Sequence, residues 1–341
     1  MTRKPLALLT TTWPGGIRSP LPYAAPIENA GFEVVERGTP EANNLHQFLS
    51  MLRLGPRIRR YSLIVANEYS TALALGLLAR AFRARARMIV LSLNLSRRPI
   101  RVPVPPLQNL LDRALQRFDA IVVHSSPEVS QFVKLHNLDP SRFQVVPWGY
   151  DLPPSKHRNR TDLPKPYVCV VGRNNRDFAT VATGLAGTGV GGVFVGAPSD
   201  LESDDPEIRC LNNVPYDECI GIMADALANV IPLQDSSRGA GHITAVTGML
   251  LAKPHIFSNV DTLSDYLRDG REGIAVPIGD ASAIRSAVNQ LVSNPELRKK
   301  MGHAGRKRAL REMSHDMFLK RICSVILNSN GAGASASMAR G

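Results

Sequence analysis

Residues 167–196 read YVCVVGRNNRDFATVATGLAGTGVGGVFVG, and their pattern sets the fold of the second half of the chain. An apolar run over Tyr167–Gly172 ends at a glycine, a polar turn follows, Phe178–Gly184 has helical spacing, and a second apolar run occupies Gly192–Gly196. Short runs that are apolar throughout and separated by a helix are expected of parallel strands covered on both faces. The series continues with strands expected at Asn229–Pro232, His255–Ser258 and Gly273–Pro277. Helices are expected at Tyr216–Ala226, Thr244–Leu251, Ala281–Ser293 and Pro295–Arg311.

The first half alternates in the same way. Strands are expected at Leu6–Thr11, Phe32–Glu36, Ser62–Ala66, Met88–Leu93, Ala120–His124 and Gln144–Pro147, with helices at Ser70–Arg83 and Pro106–Phe118 among them. Between the two series lies DLPPSKHRNRTDLPKP (151–166), rich in proline and charge and without periodicity, which reads as a linker. The expected organisation is a basic N-terminal domain over 1–150, the linker, and a C-terminal domain over 167–311. A helix over 312–328 returning to the first domain and a polar tail over 329–341 without structure would complete it. The fold class is therefore α/β, with two Rossmann-like doubly wound domains facing across a cleft and ligands collecting beyond the carboxyl ends of the strands.

The 341 residues carry 41 Lys and Arg against 29 Asp and Glu, a net charge of +12. All of the excess falls in residues 1–160, which hold 22 basic and 10 acidic residues. It is densest between Arg53 and Arg101, where 11 arginines accompany a single carboxylate, Glu68. A field of this kind attracts a polyanion or an anionic membrane, and the mixture LLARAFRARAR suits an inner leaflet. Nucleic acid is not the expected partner, because only Tyr61, Tyr69 and Phe82 offer stacking surfaces in the belt. No window reaches the roughly 20 apolar residues of a membrane span, and the N-terminal MTRKPLALLTTTWPGG reads as a first buried strand rather than a leader. Cys169, Cys210, Cys219 and Cys323 have neither metal nor disulfide spacing and are expected to be small core residues, with no metal site.

Several segments together resemble the family 4 (group 1) glycosyltransferases. RFQVVPWGYDL (142–152) is similar to their Val-x-Pro-Asn-Gly-Val-Asp hinge, and YVCVVGRNNRDFATV (167–181) to the Gly-Arg turn that opens their second domain. Residues 253–309, from KPHIFSNVDTL to ELRKKMGHAGRKRA, resemble their C-terminal signature, including the Asp269-Gly270-x-x-Gly273 turn and Asn294-Pro295-Glu296-Leu297-Arg298. The resemblance implies a GT-B enzyme that takes its sugar from a nucleotide-sugar co-substrate and needs no separate cofactor.

Positions can be carried over one by one. Gly15 and Gly16 stand where the family has a Gly-Gly loop near the donor phosphate, and Arg173 and Arg176 where it places cations on the leaving diphosphate. Of the two, Arg173 is the first choice, and Arg176 has a local ion pair with Asp177 as its alternative. The family's Glu-x7-Glu pair falls on Gly239 and Thr247, neither of them acidic. The stretch SSRGAGHITAVTGMLLAKP (236–254) has no carboxylate, so the helix it opens would take its negative charge from a bound phosphate. Backbone groups at Gly239, Gly241, His242, Ile243 and Thr244 are the candidate cradle, Thr247 a candidate for the ribose, and the His242 side chain a candidate in the chemistry. The loop at Val214 is the candidate for the nucleotide base. Glu68 is the candidate acid or base for an acceptor, since Asn94 stands near where relatives carry a histidine. Arg80, Arg83, Arg85, Arg97 and Arg98 form the candidate membrane or acceptor patch.

The expected function is transfer of a sugar from a nucleotide donor to a lipid-linked or saccharide acceptor, in the cytoplasm and peripheral to the inner membrane. Retention and metal independence are expected with it. A non-catalytic nucleotide-sugar-binding or scaffold relative is the alternative, followed by a nucleotide-sugar epimerase.

Overall fold

The computed structural model describes residues 4–11, 21–38, 44–93, 102–152, 162–198, 201 and 207–328. Two compact units divide the chain, one of residues 1–146 with 319–341 and the other of residues 147–318.

The first unit is built on six parallel strands: β1 (Leu6–Thr11), β2 (Glu33–Gly38), β3 (Tyr61–Ala66), β4 (Arg87–Val90), β5 (Ala120–Val123) and β6 (Phe143–Val145). They lie in the order β2-β1-β3-β4-β5-β6. Leu63, Ile64, Val65 and Ala66 are all buried, because a strand covered on both faces has no polar side to show. The intervening helices are α1 (Ala24–Asn29), α2 (Asn44–Leu52), α3 (Tyr69–Ala81), α4 (Pro105–Leu115) and α5 (Ser126–His136). One core joins β1, β3, β4 and β5 to residues of α2, α3, α4 and α5, which places these four helices on one face of the sheet. α3 runs between α2 and α4 and is buried on almost every side.

The second unit has its own parallel sheet of β7 (Tyr167–Val171), β8 (Gly191–Val195), β9 (Ile208–Leu211), β10 (Ala228–Ile231), β11 (His255–Ser258) and β12 (Gly273–Val276). The order is β12-β11-β10-β7-β8-β9, so the chain reverses direction across the sheet between β7 and β10. Its helices are α6 (Phe178–Leu185), α7 (Tyr216–Asp225), α8 (His242–Leu250), α9 (Asp261–Ser264), α10 (Ala281–Ser293) and α11 (Pro295–Glu312). A last helix, α12 (His315–Leu327), begins in this unit and ends in the first.

Some expectations shift. β9, half exposed at the sheet edge, and the single turn α9 were not anticipated, and β4 stops at Val90 instead of reaching Leu93. Residues 147–152 are fastened within the second unit: the Tyr150 N–H donates to the Met313 carbonyl, and Trp148 stacks on Phe318 at 5.3 Å and 19°. Cys169 is buried, but Cys210 is exposed and Cys219 and Cys323 are half-buried, which corrects the reading of all four as core residues.

Many arginines serve as fasteners. Arg87 donates to the Val325, Ile326 and Asn328 carbonyls at the end of α12, and Arg142 to those of Gln116 and Phe118 beyond α4. Arg285 does the same for Thr183 and Gly184 of α6, and Arg298 for Leu291 and Val292 of α10. The last carbonyls of a helix have no intrahelical donor, and a forked guanidinium satisfies two at once.

Candidate functional site

The reversal between β7 and β10 is where a doubly wound sheet offers its crevice. β7 ends at Val171, and Gly172 turns the chain with φ +125°. The chain then brings Arg176 back beneath this turn. Its Nε–H donates to the Val171 carbonyl at 3.1 Å, Nη1 to the Asn174 carbonyl at 2.9 Å, and Nη2 to Thr244 Oγ1 at 3.4 Å. A Cβ at position 172 would lie 2.9 Å from Nη2, so glycine leaves the space the guanidinium fills. Arg176 is only 8% exposed, and no carboxylate among the described residues forms an ion pair with it. Burial, with Arg238 nearby, pulls its pKa down to about 10.

The expected alternative for Arg176, a pair with Asp177, is not formed. Asp177 caps α6, accepting from the Thr180 N–H at 3.0 Å and its hydroxyl at 2.6 Å.

Thr244 lies in the first turn of α8, which has no side-chain cap and no acidic residue. The first N–H groups of a helix have no acceptor within it, so the N–H groups of His242, Ile243 and Thr244 add to the positive end of the dipole. Gly241 precedes them in the left-handed region at φ +84°, and a Cβ there would meet Ile231 Cγ2 at 2.7 Å. A buried guanidinium therefore touches the start of a bare helix: two sources of positive charge, neither paired with a carboxylate among the described residues.

Arg173 is exposed on the outer side of the same turn and donates to Asn213 Oδ1 at 3.3 Å. Arg173, Asn175, Arg176, Gly196, Asn212 and Gln234 line one pocket of about 360 Å³. Val214 is half-buried and packs on the core beneath this loop. Gly239 lies in the loop leading to α8 and is half-buried.

Two candidates are corrected. The His242 ring is 6% exposed, donates Nε2–H to the Thr262 carbonyl at 2.9 Å, and stacks on Tyr266 at 4.4 Å and 10°. Burial pushes its pKa down to about 4. A ring so enclosed and held neutral is a packing element, and only its backbone N–H remains a candidate. Thr247 is 4% exposed and donates its hydroxyl to the Ile243 carbonyl at 2.8 Å, which withdraws it from a ribose.

In the first unit Glu68 starts α3 with φ +68° and ψ 161°, a region non-glycine residues rarely enter and one often associated with functional positions. Arg80, Arg83 and Arg85 are exposed at the opposite end of α3. Gly15, Gly16, Asn94, Arg97 and Arg98 lie outside the described residues. Sequence reasoning missed Arg238 and the polar pocket residues Asn175, Asn212 and Gln234. It also missed Tyr150, whose hydroxyl donates to the Ile243 carbonyl at 3.0 Å. Arg238 could have been found, since it is the one cation in the acid-free stretch before α8.

Known proteins share this architecture. The solved structure of Anabaena Alr3699/HepE in complex with UDP is 14% identical, superposes with a TM-score of 0.67, and the match covers 94% of this chain and 99% of that one. Two parallel α/β units of this kind define the GT-B fold. Residues 205–308 match the family model described as glycosyl transferases group 1. The D-inositol 3-phosphate glycosyltransferase of Acidothermus cellulolyticus is 25% identical over 227 residues, covering 57% of this chain and 50% of that protein. EpsD of Bacillus subtilis is 35% identical over 85 residues, or 25% of this chain and 22% of its own length. The alignments thus span at most half of these curated relatives.

Proposed function

We propose that the chain transfers a sugar from a nucleotide-sugar donor, held by the second unit, to a lipid-linked or saccharide acceptor taken by the first at the cytoplasmic face of a membrane. The observation that carries the reading is the buried guanidinium of Arg176, with no carboxylate paired to it among the described residues, against the bare start of α8. As the glycosidic bond to the donor breaks, negative charge builds on the departing diphosphate. Donors already fixed in a low-dielectric site stabilise that charge without reorganising. Arg173, exposed on the same pocket, is suited to closing over the phosphates once they bind.

Transfer is read as retaining and metal-independent, with the guanidinium and helix N–H groups supplying the positive charge and the leaving phosphate accepting the acceptor's proton. The anomer of the product and the effect of a chelator on turnover test this part. UDP is the first nucleotide to try, because a solved neighbour holds it. Calorimetric titration with UDP, GDP and ADP is expected to show binding by at least one of them, and binding by none would overturn the proposal.

A second reading is a nucleotide-sugar-binding relative without turnover, favoured by Gly239 and Thr247 at the two acidic positions of the family and by the prior engagement of the Thr247 hydroxyl. Mass spectrometry of products formed from mixed sugar nucleotides and a membrane extract separates the two. Binding without any transferred sugar would select the second.

A further inference from the structure

α2, α3 and α4 form one layer, with α3 in the middle and buried. Its two flanking helices each turn an apolar stripe outward. Leu45 and Leu49 of α2 are 62% and 48% exposed, and Val104, Leu107 and Leu110 at the start of α4 are 50%, 45% and 46% exposed. The spacings of four and three residues put each set on one side of its helix. The inward sides are already used, by Met51 on α2 and by Gln108, Asp112 and Leu115 on α4, so the outer leucines are surplus to the core.

The helices α2, α3 and α4 themselves expose no acidic side chain, and Asp119 just beyond α4 is paired with Arg117 at 3.7 Å. α2 contains no acidic residue, and the only one on α4, Asp112, is buried against His136 Nδ1 at 2.9 Å. Glu68, half-buried at the start of α3, is the only acid on that stretch. Exposed arginines follow each helix: Arg53, Arg57, Arg59 and Arg60 after α2, Arg80, Arg83 and Arg85 at the end of α3, and Arg113 in the last turn of α4. At about 1.5 Å per residue, Leu45 precedes Arg53 by about 12 Å and Leu107 precedes Arg113 by about 9 Å along the axes. On a helix that lies in the membrane plane these distances are lateral, so the arginines flank the exposed leucines, which face the acyl boundary while the guanidinium groups reach the phosphates. A surface helix sinks about 5–10 Å into that boundary, and arginine stems extend to bridge what remains.

We infer that the outer face of α2 and α4 docks on an anionic lipid bilayer, with Leu45, Leu49, Val104, Leu107 and Leu110 in the acyl boundary and the arginines that follow them at the phosphates. The inference deepens the reading of a membrane-borne acceptor and rests on it. It also moves the contact: the expected patch was Arg80, Arg83, Arg85, Arg97 and Arg98 in the mixed belt around LLARAFRARAR, whereas the leucines of α2 and α4 are what anchors the layer. Each exposed Arg adds about 1 kcal/mol on an anionic surface, which salt weakens, while the apolar part is insensitive to salt.

The test is co-sedimentation of the full chain with vesicles of phosphatidylcholine containing about 30% phosphatidylglycerol, and with pure phosphatidylcholine. Binding to the anionic vesicles is expected. It should fall by about tenfold or more in L107D/L110D, and become less dependent on salt in R53Q/R113Q, which removes two of the eight arginines. UDP titration of the same variants is expected to match the parent, because the donor groups belong to the other unit. Absence of vesicle binding by the parent, or full binding by L107D/L110D, would overturn the inference while leaving the nucleotide reading intact. Sedimentation velocity that shows a dimer dissociated by L107D/L110D would also overturn it, by assigning the face to a second copy of the chain.

Discussion

Replacing Arg176 with methionine separates binding from folding. Burial pulls the pKa of its guanidinium in the folded chain down to about 10 from its ordinary higher value, a shift worth roughly 3 kcal/mol against the charged form. The group is charged in both folded and unfolded chains below pH 10, so this cost is present across the ordinary range and fades only as the pH rises through about 10. Arg176→Met removes it but leaves the Asn174 carbonyl without this donor and the Val171 carbonyl with the longer bond from the Thr244 hydroxyl at 3.4 Å, at about 1 kcal/mol or more each. The two effects nearly offset, and the unliganded variant is expected within about 1 kcal/mol of the parent. A diphosphate, by contrast, loses a buried charge-assisted contact worth about 2–5 kcal/mol, at least a thirtyfold drop in affinity. Urea denaturation without ligand and calorimetric titration with UDP measure the two quantities. A large loss of stability with affinity within about threefold of the parent would refute the reasoning, since Arg176 would then be a structural clamp.

Acid should weaken the second unit through its histidines. Burial pushes His242 and His255 down to about 4 from 6.5. The unfolded chain therefore takes up protons first, and stability present above pH 6.5 is lost as the pH falls toward 4, by up to about 3 kcal/mol for each ring. His242→Phe, which keeps the stack on Tyr266, should flatten the fall measured by urea denaturation between pH 7 and 4. Gly241→Ala should cost about 2 kcal/mol or more, because alanine is strained at φ +84° and its Cβ meets Ile231, and thermal unfolding would show it.

The second unit was the more legible half because its strands are short, apolar and bounded by glycine or proline, a pattern with few other readings. β9 escaped because an edge strand such as Ile208–Leu211 has only one face to bury and shows no continuous apolar run. The site was legible as a place but not in its division of labour. The two arginines of the turn were recognised, yet which of them is buried depends on the space left by Gly172, a three-dimensional fact. Tyr150 could not have been found from spacing, since its partner Ile243 lies 93 positions away. His242 was open to a chemical role or to an ordinary capping or core role, and the sequence could not choose between them because the packing partner, Tyr266, is 24 positions away and stacks on it only in the fold.

The arginines that fasten helix ends bear on how the basic character of the chain arose. A lysine at position 87, 142, 285 or 298 would preserve the +12 net charge. It would offer a flexible ammonium in place of a planar fork, and pairs of carbonyls now held together would compete for it. A high isoelectric point is in this respect partly a by-product of joinery, and drift toward lysine at constant charge would loosen the very helices on which both sheets lean.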